Sequence, residues 1–109
     1  MTGFEDFSRQ AAQLEREIVR WGLVLGIDWG DAAQVATLAR AAVAFRPATH
    51  GLPTDPRERA RVELFGLAQL MLAVMTESAG EGIHTHGGPA WKALGRALYE
   101  AAGLVGGKP

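Results

Sequence analysis

Apolar positions recur every three or four residues along four stretches of the chain, and polar or turn-forming residues separate them. Phe4, Phe7, Ala11, Leu14, Ile18, Trp21 and Leu25 form a heptad seam. This spacing predicts a helix over about 4–25, laid along a partner helix and stopped by Gly26. A second seam, Val35, Leu38, Ala42 and Phe45, predicts a helix over about 32–46. Asp31 and Gln34 have the spacing of a capping box at its start, and Pro47 ends it. The sharpest start is Asp55-Pro56-Arg57-Glu58: an acid at the N-cap, proline at the first helical position and glutamate at the third. The helix it opens is predicted over about 56–78. It carries two apolar seams, Val62, Phe65 and Leu72 on one and Leu64, Leu67, Met71 and Met75 on the other. A helix apolar on nearly every side must be covered on nearly every side. It is therefore the central helix of the fold, or part of it meets another copy. Trp91, Leu94, Leu98 and Ala101 predict a fourth helix over about 89–102, opened by Pro89 and closed by Gly103.

The expectation is an all-α fold, a compact bundle of about four helices in up-down antiparallel order. The 109 residues make one domain, with 104–109 a frayed tail. In that order the connections 26–31 and 80–88 share one end, and 47–55 lies at the other. Trp21, Phe45, Leu67, Leu72 and Leu94 are the expected core.

Composition narrows the function classes. With 48% hydrophobic and 21% charged residues the chain is too apolar to be disordered. Eleven basic and twelve acidic residues leave a formal charge of −1, which supplies no general field towards nucleic acid or an anionic membrane. The absence of cysteine excludes disulfides, thiolate metal sites and cysteine nucleophiles. The run from Leu64 to Met75 is shorter than a membrane span needs, and the first residues lack a signal-peptide pattern, so a cytoplasmic location is expected. Usage rich in Ala, Gly and Arg points to a bacterium of high genomic GC content, or to its phage or plasmid.

Candidate chemistry concentrates at 81–92. His84 and His86, one residue apart, could ligate a metal ion or assist catalysis, with Asp28 at the same end of the bundle. Asp31, Glu77 and Glu81 are expected there too. His50 is separated from them by the length of the third helix, about 30 Å. Gly87 and Gly88 expose backbone N–H groups ahead of a helix, and with Lys92 they form a candidate anion site. Arg57, Arg59 and Arg61, with Arg40, are the candidate nucleic-acid contacts, although Glu58 and Glu63 offset their charge. No catalytic or cofactor motif stands out. The favoured expectation is a helical interaction module that self-associates through Leu64, Leu67, Met71 and Met75. A metal-binding or histidine-assisted enzyme and a nucleic-acid-binding regulator are the alternatives.

Overall fold

Local capping chemistry places each helix close to where the sequence predicts it. The computed structural model describes residues 3–46, 53–80 and 87–103. They form α1 (Gly3–Leu25), α2 (Ala32–Ala44), α3 (Pro56–Gly80) and α4 (Pro89–Ala101), with no strand among the described residues.

Helix α1 ends at Gly26, whose φ of +72° is a left-handed conformation that costs glycine least. The Gly26 N–H donates to the Leu23 carbonyl and the Ile27 N–H to the Gly22 carbonyl, at 3.2 and 2.9 Å. This is a Schellman closure, and it leaves the carbonyls of Val24 and Leu25 open. Arg57 meets both from the start of α3, donating at 3.5 and 3.1 Å.

Asp31 caps α2 as expected: its carboxylate accepts the Gln34 N–H at 3.1 Å. The Gln34 side chain reaches past the cap to accept the Asp28 N–H. At its other end α2 stops at Ala44, two residues before the expected boundary, because Phe45 is extended. Arg46 precedes Pro47, which disfavours helical backbone there. The carbonyls freed by this early end are used. Gln69 of α3 donates its amide to Ala42 and Phe45 at 2.8 and 2.9 Å, and Arg46 donates to Val43 and Phe45.

Asp55 caps α3 by accepting the Glu58 N–H at 3.0 Å. The helix runs two residues past its expected end, to Gly80. Buried Ser78 is accommodated in the last turns by donating to the Met75 carbonyl. Gly103, at φ +76°, closes α4.

The core is built from Ala11, Leu14 and Ile18 of α1, Val35, Leu38, Ala39 and Ala42 of α2, Leu64, Phe65, Ala68, Met71, Val74 and Met75 of α3, and Trp91, Leu94, Ala97 and Leu98 of α4. Alanines without exposure, such as Ala39 and Ala68, let helices approach closely. Gly95 does the same for α4, since an added Cβ would lie 3.1 Å from the Met75 sulfur. Of the five expected core residues only Leu94 is fully buried. Trp21, Phe45, Leu67 and Leu72 are half-buried against the edge of the core. The core is filled by aliphatic residues, Met71 and Met75 and two aromatic rings, Phe65 and Trp91. Phe45 packs on the Phe65 ring, with centroids 5.3 Å apart.

Helix α3 is central, as its pattern requires, and packs against all three others. The pairing differs from a consecutive up-down order. The most extensive contacts are α1 with α3 and α2 with α4, and α1 and α2 do not pack together. Helices α1 and α3 run antiparallel: Arg57 sits at Leu25, while Leu67, Leu70 and Val74, farther along α3, share a groove with Gln10, Gln13 and Glu17, farther back along α1. The first turns of α2 lie beside the second half of α4. In the connection after α1, Trp29 folds onto Gly22, where a Cβ would lie 2.9 Å from its ring.

Candidate functional site

The start of α4 is where the backbone concentrates unpaired donors. Pro89 opens the helix, and Gly88 stands at the N-cap without a side chain to cap it. The partner comes from α1. Glu15 accepts the Gly88 N–H on Oε1 at 2.8 Å and the Trp91 N–H on Oε2 at 3.0 Å. One carboxylate thus satisfies two donors at the positive end of the helix dipole. Both glycines are required by closeness. A Cβ on Gly87 would lie 2.5 Å from the Trp91 Cβ, and one on Gly88 would lie 2.9 Å from Glu15 Oε2. The candidate anion site at Gly87, Gly88 and Lys92 therefore already holds an anion, the chain's own Glu15. Lys92 is exposed beside it. Sequence reasoning passed over Glu15 because an acid beside the seam residue Leu14 reads as part of the solvated face.

His84 and His86 lie outside the described residues, as do His50 and Glu81. Their expected companion Asp28 is exposed and shapes the turn before α2, its Oδ1 accepting the Gly30 N–H at 2.9 Å. The shared end on which the site depended is not observed. Asp28 follows the end of α1 that abuts the start of α3, whereas Glu77 and Gly80 are at the other end of α3. The α4 start is held at Glu15, about 15 Å back along α1 from its end at Leu25, at 1.5 Å per residue. Among the described residues no three His, Asp or Glu side chains gather as metal ligands.

The four arginines serve different purposes. Arg57 closes α1, Arg61 stacks over Phe65 at 5.0 Å from the ring centroid, and Arg40 donates to Thr37 on α2 at 3.3 Å. Arg59 is exposed on α3.

The expected interaction face is corrected by burial. Leu64 and Met71 have no exposure and Met75 is buried, all within this chain's own core, and Leu67 is half-buried beside α1. Helices α1, α2 and α4 cover that side of α3. The uncovered side is the opposite one, where Gly66 and Ala73 are exposed and Leu70 is 52% exposed. It borders a groove of about 330 Å³ between α1 and α3, lined by Gln13, Leu14, Glu17, Leu67, Leu70 and Val74. Leu23 and Val24, near the end of α1, are the other large exposed apolar residues among those described. By length and composition α3 could cross a membrane, with a mean hydropathy of 1.3 over 18 residues, of which 39% are buried. The core helix of a globular fold meets the same criterion, and α3 has that position.

Comparison with known proteins returned no matching family model, no matching curated protein and no matching solved structure.

Proposed function

We propose that this chain is a helical protein–protein interaction module that works by self-association. One observation carries the reading: the middle of the outward side of the central helix is apolar and uncovered, with Leu70 52% exposed between Gly66 and Ala73. An isolated exposed leucine means little, but this one sits beside an apolar groove on the central helix of the fold. Contiguous apolar surface in contact with water is what a partner removes on binding. The reading takes α3 as an interface helix of a cytoplasmic protein rather than a membrane span.

The alternatives draw less support from the geometry. Arg57 and Arg61 are engaged within the chain, which reduces what they offer to phosphates. Asp28 is tied into its own turn, away from the helix ends that flank the histidines.

Light scattering coupled to size exclusion, run from low to high micromolar concentration, tests the proposal. A mass that rises above the 11.6 kDa of one chain is expected. A single-chain mass across the whole range would overturn it.

A further inference from the structure

The uncovered residues of α3 have a symmetry of their own. Arg59, Glu63, Gly66, Leu70, Ala73 and Glu77 follow one another at intervals of four and three residues. At 100° per residue they fall within an arc of about 80°, a single stripe along the helix. Five of them are exposed and Glu63 is half-buried, so the stripe points away from the core formed by Leu64, Ala68, Met71 and Met75. The intervals read the same in both directions. If a second copy lies antiparallel across the stripe, with the two-fold axis level with Ala68, every stripe position falls opposite another stripe position.

The chemistry of those pairings is complementary. Leu70 falls opposite Gly66 of the second copy, so the one large apolar side chain meets the one residue with none. Nothing lies within 4 Å of the point where a Gly66 Cβ would stand, so the space above it is open. Arg59 falls opposite Glu77, and the two-fold repeats both pairings. Glu63, one turn from Arg59, falls opposite Ala73 and meets no like charge directly. Isologous pairing requires a patch that complements itself in this way, and a glycine under a leucine allows close helix approach in a left-handed antiparallel pair.

We infer that the partner is a second copy of this chain, docked antiparallel along the stripe from Arg59 to Glu77, with Leu70 seated over Gly66 and Arg59 paired with Glu77. The inference rests on the self-association proposed above and adds the face, the direction and the register. The two helices beside the contact, α1 of each copy, lie on the same side of the interface, so the α1–α3 grooves of the two copies adjoin.

Charge reversal tests the register. Wild type, Leu70→Arg, Arg59→Glu, Glu77→Arg and the double variant Arg59→Glu with Glu77→Arg are compared by sedimentation equilibrium, with circular dichroism confirming helix content. Leu70→Arg is expected to give a monomer of unchanged helicity, since its side chain is half in solvent. Each single reversal places like charges opposite each other twice and is expected to weaken the dimer about tenfold or more. The double variant restores opposite charges and is expected to return to within a few-fold of wild type. A monomeric wild type would overturn the self-association itself. A wild-type dimer that Leu70→Arg leaves intact would overturn the face. Loss on Leu70→Arg without rescue by the double reversal would overturn the antiparallel register.

Discussion

Glu15 shows how much one side chain can decide. It is the partner of both backbone donors at the start of α4, and it ties that helix to the middle of α1. Removing one partner of a part-buried charged hydrogen bond leaves donors unmet, so Glu15→Ala is expected to cost about 1–3 kcal/mol. Glu15→Gln keeps an acceptor and loses the charge that favours the helix dipole, so it is expected to cost less. Urea denaturation measures both, and equal stability of all three proteins would remove the anchoring role. Gly87→Ala tests the same contact from the other side. Its Cβ would meet the Trp91 Cβ at 2.5 Å, an atom close to the backbone that has little room to shift. A loss of about 1–3 kcal/mol is expected, and no loss would mean that the α4 start is looser than described.

At the scale of the element, the sequence was most readable where structure is local. Asp55-Pro56, Asp31 with Gln34, Gly26 and Gly103 mark helix ends through contacts within a few residues, and the structure uses each of them. The pairing of helices was not readable, because long-range polar contacts help fix it and these have no periodicity. Arg57 reads as part of a basic run and is the closure of α1; Gln69 is a polar residue within the apolar run from Leu64 to Met75 and caps α2. Gln69→Ala would leave the Ala42 and Phe45 carbonyls without that donor and is expected to cost about 1–2 kcal/mol. Burial separates two leucines that looked equivalent in the sequence. Leu94 has no exposure, and its truncation to alanine should cost about 2–5 kcal/mol. Leu72 is half-buried at the edge, so Leu72→Ala should cost clearly less. A reversed order in thermal or urea melts would mean that α3 is rotated from its described orientation.

At the scale of the whole molecule, the surplus of apolar surface on α3 was legible and its direction was not. The seams Val62–Leu72 and Leu64–Met75 correctly implied a helix needing cover on most sides. Which side stays open depends on how the other three helices close around it, and the face chosen from sequence, through Leu64 and Met71, is the one they cover. The remaining stripe became visible only when the core side was known. Because the chain has no cysteine, introduced thiols report on this stripe alone. In the proposed dimer residue 66 lies opposite residue 70 of the other copy, whereas 70 and its own counterpart are offset by about 6 Å along the helix axis. A disulfide needs Cα atoms within about 7 Å. The most direct measurement is therefore oxidation of an equimolar mixture of Gly66→Cys and Leu70→Cys chains, differing in mass by a tag and analysed on a non-reducing gel. The mixed species is expected to form rapidly and to exceed both like-with-like species. A Leu70→Cys species linked to itself as readily, or no linkage while the mixture remains dimeric, would contradict the antiparallel pairing of α3.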